Sequence, residues 1–278
     1  MLLKNNNKLK TLGPQSAHLV TTLYEQGRPI FRLKEVQRIL KLNEASSCNF
    51  VRKLVNRGVV TRLKPGLFIL VPYELGKECE YTGNPLVVAR EIMGGKSYYL
   101  SHGTAMEIHG MTTQPQLVIY ITTLKPHRTI NMLGIEFRFV CSQKKNFFGL
   151  YDHWVTKQEK VRVSNLERTV IDCLRQPEYC GGLTEIAKGL WVRQHDVNVS
   201  RLIEYAINIY VGAVIRRLGF LLELYKIGTP EDWEFLQEHL TETYALLDPL
   251  LPSEGKFLRK WRLKLNVSSE ELLLVVRT

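Results

Sequence analysis

The chain has 278 residues, of which 45% are hydrophobic and 23% are charged, a composition typical of globular proteins with more than one core. It contains no run of 18 or more apolar residues, and its first residues, MLLKNNNKLKTLGP, lack the apolar segment of a signal peptide. The five cysteines are scattered and never spaced C-x-x-C, which argues against a zinc ribbon and a secreted disulfide framework. We therefore expect a cytoplasmic protein that does not enter a membrane.

The net charge of +11 is concentrated in the first quarter of the chain. Residues 1–72 carry 13 lysines and arginines against three acids, whereas the remaining 206 residues carry 25 against 24. A basic module joined to a nearly neutral body is the charge distribution of a domain that binds a polyanion such as nucleic acid. A generic solubilising surface is the alternative that charge alone leaves open.

Three helices are predicted in this basic segment. Residues 14–26 carry an approximate apolar stripe that ends before a glycine, and residues 33–41 repeat apolar side chains at helical spacing. Asn43 is predicted to form a turn and a cap, because asparagine tolerates left-handed geometry and its side chain accepts a backbone N–H. The third helix is predicted over residues 45–57, ended by Gly58.

The third helix presents two different faces when its residues are placed at about 100° intervals. One face carries Ser47, Cys48, Val51, Leu54 and Val55. The other carries only side chains that can hydrogen-bond to phosphates or base edges, namely Ser46, Asn49, Arg52, Lys53, Asn56 and Arg57. Because such a helix fits the major groove, we predict that these six residues bind DNA.

A β-hairpin is predicted directly after the third helix. Residues 59–63 and 67–71 are β-prone runs around Lys64-Pro65-Gly66. Beside a helix-turn-helix such a hairpin is a wing, and Arg62 and Lys64 near its tip are predicted to contact backbone phosphates. Residues 1–75 are thus predicted to be a winged helix-turn-helix DNA-binding domain. A three-helix domain used only for protein contacts is the alternative.

The rest of the chain, residues 76–278, is predicted to be a mixed α/β domain with a helical subdomain, which places the whole protein in the α+β class. Short strands are predicted at residues 98–100, 117–123, 135–141 and 161–163. Helices are predicted at residues 85–93 and 102–109, throughout 183–240 and at 268–276, with mixed structure at 257–265. Ser164 and Glu167 are predicted to form a capping box, with serine at the N-cap of a further helix.

Four segments of this body resemble the AbiEi family. They are YYLSHGTAMEIHGMTTQ from residue 98, VIYITT from residue 118, FFG at 147–149 and SNLERTVIDCL from residue 164, which a Gly-Gly pair follows. The resemblance covers about residues 15–225, and its most specific part runs from Glu167 to Asp172. AbiEi proteins are the antitoxin-regulators of type IV toxin–antitoxin systems, which act in abortive infection, a form of phage defence.

The resemblance implies a transcriptional autorepressor that binds double-stranded DNA at inverted repeats in the promoter of its bicistronic operon. It also implies a C-terminal antitoxin domain that counteracts a toxin resembling a nucleotidyltransferase. A type IV antitoxin opposes the effect of its toxin, so a stable complex between the two is not expected.

No catalytic residue, metal site or cofactor is predicted. His102 and His109 are two helical turns apart, about 10 Å along the axis and too far for one small ion, so a structural role with one imidazole bonded to a neighbouring strand is expected. Glu167 is assigned to the cap, Arg168 to a nearby acid or carbonyl, and Asp172 to orienting the helix. Nucleotide-binding and nucleophile-elbow motifs are absent, so the sequence does not support an active enzyme. A nucleotidyltransferase-like enzyme remains an alternative because the body is predicted to be α/β, and a protein-interaction adaptor is the other alternative.

A second basic surface is predicted in the C-terminal half of the chain. Its candidate secondary DNA contacts are two arginines in a helix and four cations around Trp261, namely Arg216, Arg217, Arg259, Lys260, Arg262 and Lys264. The resemblance favours this role, because the C-terminal domain of the family helps to engage DNA. A solvated face without a ligand is the alternative.

Overall fold

The computed structural model describes residues 10–112 and 114–275, which form two compact units. The first unit contains residues 10–96 together with 130–135 and 154–160, and the second contains the other described residues. The first unit thus extends past the predicted boundary at residue 75 and includes a further helix. Helices and strands are mixed throughout, which confirms the α+β class. Within the described ranges, no helix is long and apolar enough to cross a membrane.

The first unit combines helices with a three-stranded sheet. Its helices are α1 (Pro14–Glu25), α2 (Leu33–Leu40), α3 (Glu44–Asn56) and α4 (Pro85–Met93). Its sheet strands are β1 (Ile30–Arg32), β2 (Val60–Lys64) and β3 (Leu67–Leu70), paired antiparallel in the order β1-β3-β2. The predicted helices and the hairpin are confirmed to within about two residues. Strand β1 was not predicted, because a three-residue strand depends on its pairing with β3.

Local signals fix both ends of α3. The Asn43 side chain accepts a hydrogen bond from the Ser46 backbone N–H at 2.8 Å, which confirms the predicted cap. Gly58 follows the helix with φ +70°, and a Cβ there would lie 2.5 Å from the Cys79 sulfur, so a side chain at residue 58 would be strained and crowded. Between these ends Val51 and Leu54 are buried in the core of the first unit. The position of α3 is therefore determined along its whole length.

A six-stranded sheet follows in the chain. Its strands are β4 (Tyr98–Leu100), β5 (Val118–Thr123), β6 (Ile130–Met132), β7 (Ile135–Cys141), β8 (Leu150–Trp154) and β9 (Lys160–Ser164), in the order β6-β7-β5-β4-β9-β8. Strand β4 runs antiparallel to β5 and parallel to β9, and β5 runs parallel to β7. The four predicted strands are confirmed, whereas β6 and β8 were not predicted.

The second unit contains most of the helices. They are α5 (His102–Ile108), α6 (Leu166–Arg175), α7 (Leu183–Val192), α8 (Val199–Asn208), α9 (Gly212–Tyr225), α10 (Pro230–Glu238) and α11 (Ser269–Val275). A small sheet pairs β10 (Ala245–Leu246), β11 (Lys256–Leu258) and β12 (Leu263–Leu265) in the order β10-β12-β11. The apolar side chains of α6, α7, α8 and α9 form one core, which also encloses Trp261.

A buried ion pair within α6 is hydrogen-bonded to Tyr99 of β4. Arg168 donates to Asp172 at 2.8 Å, with 0% and 4% of the two side chains exposed, which confirms that Arg168 pairs with a nearby acid. The Tyr99 hydroxyl donates to Asp172 and accepts from Arg168, and the guanidinium carbon of Arg168 lies 4.4 Å from the centre of the Phe148 ring. The other guanidinium nitrogens, Nε and Nη1, have no hydrogen-bond partner among the described residues, and the contact with the ring partly compensates them.

The predicted capping box at the start of α6 is wrong by one residue. The N-cap is Asn165, whose side chain accepts from the Arg168 backbone N–H at 2.9 Å. Ser164 is not the N-cap because it is the last residue of β9 and the sheet holds it extended. Its hydroxyl is hydrogen-bonded to the Thr169 hydroxyl. Glu167 instead accepts from the backbone N–H of Asn198 at the start of α8, so it joins two helices.

The histidines at the two ends of α5, His102 and His109, have separate structural roles. His109 donates from Nε2 to the Ser164 carbonyl of β9 at 2.8 Å, which confirms the predicted bond to a neighbouring strand. His102 is buried beside Ser101, and its Nδ1 lies 2.8 Å from the serine hydroxyl. Burial lowers the pKa of His102 to about 4. The imidazole of His102 is therefore neutral in the folded protein at pH 7.

Asp172→Asn tests the buried ion pair. The variant leaves the Arg168 cation buried without a counter-charge, and we expect it to lower the free energy of unfolding by about 3–5 kcal/mol. The double variant Arg168→Met/Asp172→Leu removes both charges and should lose much less stability. Urea unfolding followed by circular dichroism measures both values. If the single and double variants lost the same free energy of unfolding, the unpaired charge of Arg168 would not be the cause of the loss.

His102→Asn tests the effect of the buried imidazole on stability. The unfolded chain takes up a proton near pH 6.5, whereas the folded protein takes one up only near pH 4. This part of the stability is therefore present at neutral pH and is lost as the pH falls through this window, by about 3 kcal/mol in total. Asparagine tolerates the φ of +51° at this residue, so the variant should fold and lose stability less steeply with acid. If His102→Asn kept the wild-type slope of unfolding free energy against pH, the assignment would be contradicted.

Candidate nucleic-acid interface

The outward face of α3 carries a group of polar and cationic side chains that the protein leaves to solvent. All six residues predicted to bind DNA are exposed, namely Ser46, Asn49, Arg52, Lys53, Asn56 and Arg57. None of their side chains has a hydrogen bond or an ion pair with another residue in the described part of the chain. We call this group the α3 face. Its donors are free to bind an external acceptor.

The opposite side of α3 holds the helix in place. Ser47, Val51 and Leu54 are buried, as their spacing predicted. Cys48 is exposed and Val55 is only half-buried, although both fall on the same face by periodicity. The difference arises because both residues line an open cleft beside the hairpin.

The end of the α3 face adjoins the start of α1. A hollow of about 370 Å³ lies between them, and Gln15, Lys53 and Arg57 are among its lining residues. Helix α1 begins after Gly13, which has no capping side chain, so no side chain of residues 10–112 or 114–275 caps its first backbone N–H groups. A helix N-terminus favours an anion, and the two cations strengthen this preference. The hollow therefore suits a phosphate group. The position of the α1 N-terminus beside these cations was not predicted, although Gly-Pro at a helix start without a capping side chain is a signal for an open N-terminus.

The two hairpin cations predicted to contact phosphates differ in availability. Arg62 on β2 is exposed and has no partner among the described residues. Lys64 is half-buried and donates to the Ile92 carbonyl at 2.9 Å, while Arg32 donates to the Glu91 carbonyl at 2.5 Å. Both carbonyls lie in the last turn of α4, where the helix dipole favours cations. Burial and the neighbouring cations Arg32 and Lys96 lower the pKa of Lys64.

Lys64 is therefore removed from the predicted DNA contacts. Its ammonium group is occupied at the end of α4, and a phosphate could be bound only at the expense of that bond. Arg62 remains available on the same strand. The sequence could not show this difference, because α4 lies 21 residues beyond Lys64 in the chain.

The two arginines of α9 predicted as secondary DNA contacts are buried, so this prediction is wrong. Arg216 is 2% exposed and donates to the carbonyls of Thr241 and Thr243 at 2.9 and 2.7 Å. Arg217 is 5% exposed and donates to the carbonyls of Leu174 and Leu247. Burial lowers the pKa of both guanidinium groups. Their donors already hold loops and helix ends together, and no face is left for DNA.

A signal for this burial exists in the sequence. The two arginines stand in GAVIRRLGFLLELY, where apolar residues precede and follow them on every side of the helix. A helix that is apolar all round belongs in a core. Cations in such a helix need internal acceptors.

The four cations near Trp261 do not form a joint basic surface. Lys260 forms an ion pair with Glu223, which also accepts from the Trp261 indole N–H at 2.6 Å. Arg262 donates to the Leu240 carbonyl at 3.1 Å, and the ammonium of Lys264 lies 5.5 Å from the centre of the Phe257 ring. Arg259 alone of the four is exposed without a partner in the described ranges. These cations stabilise the last part of the chain, so the predicted second DNA surface is not supported.

Metal-binding side chains are dispersed. No group of three or more histidine, cysteine, aspartate or glutamate side chains that could hold a metal ion occurs among residues 10–112 and 114–275.

Comparison with known proteins gives a structural likeness but no match to a family or a curated protein. No protein-family model matches the chain, and no curated protein matches it significantly. Among solved structures, it is similar to the crystal structure of the RV2827C protein from Mycobacterium tuberculosis, with a TM-score of 0.72 and 13% identity. The match covers 100% of this chain and 99% of that one. At this identity the likeness shows a shared fold over the whole chain and nothing about function.

Proposed function

We propose that this protein is a DNA-binding autorepressor and antitoxin of a type IV toxin–antitoxin system, with a winged helix-turn-helix in its first unit. One observation carries the DNA-binding part of the proposal. The α3 face offers six hydrogen-bonding side chains, three of them cationic, and leaves all of them without a protein partner in the described part of the chain. Exposed, unpaired donors on one helix face suit phosphates and base edges.

The arrangement of the first unit supports the proposal. Helices α2 and α3 are joined by residues 41–43, a connection as short as the turn of a helix-turn-helix. Lys41 has φ +53°, a left-handed conformation that lets the chain turn sharply between the helices. The second helix of such a pair is the one that enters the major groove, and here it is the helix with the α3 face.

In the proposed mechanism, some residues contact base edges and others contact phosphates. Asn49, Arg52 and Asn56 read base edges in the major groove. Lys53 and Arg57, with the start of α1, hold one phosphate, and Arg62 on the hairpin holds another. Each neutralised phosphate releases counterions, so the affinity falls as the salt concentration rises.

The antitoxin part of the proposal depends on the resemblance of the second unit to AbiEi proteins. The residues of its most specific segment include Arg168 and Asp172, which are buried and bonded to each other. Their contacts stabilise α6 against β4, so we assign them to the fold and not to a reaction. The second unit would counteract a toxin that resembles a nucleotidyltransferase, without a stable complex. The first unit would repress the operon by binding inverted repeats in its promoter.

Single substitutions separate base reading from phosphate binding. Arg52→Ala or Asn49→Ala should weaken binding to the promoter by about 1–3 kcal/mol and relax sequence preference. Arg62→Ala should weaken binding to all duplexes alike and reduce the slope of log affinity against log salt by about one. Fluorescence anisotropy with a promoter duplex and a scrambled duplex at several salt concentrations measures both effects.

Lys64→Met is the matched control for Arg62→Ala. It removes a cation from the same strand, but one that is bound to the Ile92 carbonyl. We expect the salt slope to stay at the wild-type value, while the unit loses some stability. If the slope of log affinity against log salt fell for Lys64→Met and stayed unchanged for Arg62→Ala, Lys64 and not Arg62 would be the residue that contacts phosphate.

A triple variant tests whether repression and antitoxicity reside in different units. Replacing Arg52, Lys53 and Arg57 with alanine removes three exposed cations, and such surface changes usually alter stability by less than about 0.5 kcal/mol. The variant should lose repression of a promoter reporter yet still rescue cells that express the toxin from an independent promoter. A melting curve checks that it folds.

The matched control removes equal charge elsewhere. Alanine at Lys144, Lys145 and Arg259 also removes three exposed cations, and it should keep both repression and rescue. A triple α3 variant that folds but fails to rescue would mean that antitoxicity requires DNA binding.

A further inference from the structure

An apolar cleft opens on the first unit between α3 and the β2–β3 hairpin. Its volume is about 300 Å³, at the lower end of the range of small-molecule sites. The cleft is lined by Leu33, Cys48, Val51, Arg52, Val55, Arg62, Gly66 and Phe68. Most of these side chains are apolar, and none is acidic. The cleft therefore combines the size and the lining of a ligand site.

The floor of the cleft is rigid. Val51 and Phe68 belong to the core of the first unit, with 1% and 9% of their surfaces exposed. The Phe68 ring stacks on Phe31, with the ring centres 5.8 Å apart. The cleft is open at the tip of the hairpin, because a Cβ on Gly66 would meet no atom within 4 Å. A ligand could enter there without rearrangement of the core.

Two cations stand at the rim of the cleft. Arg52 extends from α3 and Arg62 from β2, and both are exposed. Neither guanidinium has an acceptor in the described part of the chain. An apolar floor beside two unneutralised arginines complements a molecule that has an apolar body and one anionic group.

We infer that this cleft binds a small amphipathic anion, an aromatic or aliphatic carboxylate, and that the ligand competes with DNA. Its apolar body lies over Val51 and Phe68, and its carboxylate pairs with Arg52 and Arg62. The competition rests on the proposed function, because the two arginines are also proposed DNA contacts. The binding of the ligand does not rest on it. The cleft would thus make repression sensitive to a metabolite of this chemical class.

Cys48 provides a direct reporter of occupancy. Its thiol is exposed and lines the cleft, so a bound ligand shields it from an alkylating reagent. Cys141 is also exposed but belongs to the second unit. Its alkylation rate in the same sample serves as the internal control.

The experiment uses the full-length protein with 2-naphthoate as the probe and 2-naphthylmethanol as its neutral counterpart. Calorimetry should show saturable binding of one naphthoate, and binding about tenfold weaker for the alcohol because two exposed ion pairs are lost. Mass spectrometry after brief iodoacetamide treatment should show slower alkylation of Cys48 and unchanged alkylation of Cys141. Naphthoate should also displace a bound promoter duplex.

Val55→Phe tests the location of the site. The larger side chain fills the cleft from its α3 wall, so it should abolish naphthoate binding and the protection of Cys48 while DNA affinity stays within about twofold. Val192→Phe places the same change on an exposed position of α7 in the second unit, and it should keep naphthoate binding.

The outcomes separate this inference from the proposed function. Absence of saturable naphthoate binding, or unchanged protection of Cys48 in Val55→Phe, overturns the ligand site. Binding and protection without displacement of bound DNA overturns the competition. If the protein binds naphthoate at Cys48 but binds no DNA under any condition, the ligand site stands and the proposed DNA-binding function fails.

Discussion

A cation that loses its water needs hydrogen-bond acceptors inside the protein, and this need separates two groups of arginines in the chain. Arg168, Arg216 and Arg217 are buried and donate to a carboxylate or to backbone carbonyls, so their donors stabilise the second unit. Arg52 and Arg62 remain hydrated and have no protein partner in the described ranges. Net charge does not distinguish these groups. Burial does, and it removes Arg216 and Arg217 from the proposed DNA contacts.

The availability of the α3 face depends on how firmly the rest of the first unit holds the helix. The Asn43 cap begins it, Gly58 ends it, and Val51 and Leu54 anchor it to the core. Because the helix is already ordered, binding would cost little conformational entropy beyond that of the exposed side chains. Lys64 contributes to the same unit by holding the end of α4. The proposed contacts thus project from a rigid support.

Sequence reasoning predicted the elements that local signals define and missed those that depend on distant partners. The bounds of α3 follow from the spacing of apolar residues between Asn43 and Gly58, all of them close in the chain. Strand β1 exists only because it pairs with β3, as Ile30 does with Ile69, and three residues alone give no periodic pattern. The start of α6 was misplaced because pairing in the sheet keeps Ser164 extended. The exposed residues of the α3 face were predicted correctly, because the helical periodicity of apolar residues shows which side of an amphipathic helix is exposed. The environment of the cations in the second unit depends on distant segments and was not predicted.

Lysine acetylation with and without promoter DNA tests the central claim, that the α3 face is the DNA-binding surface. Lys53 lies on this face, whereas Lys256 is an exposed lysine of the second unit. A saturating promoter duplex should slow the acetylation of Lys53 by about tenfold or more and leave the rate at Lys256 unchanged, as quantified by mass spectrometry. If the duplex binds and protects Lys256 while Lys53 is acetylated at its original rate, the DNA-binding surface lies elsewhere and the account is wrong.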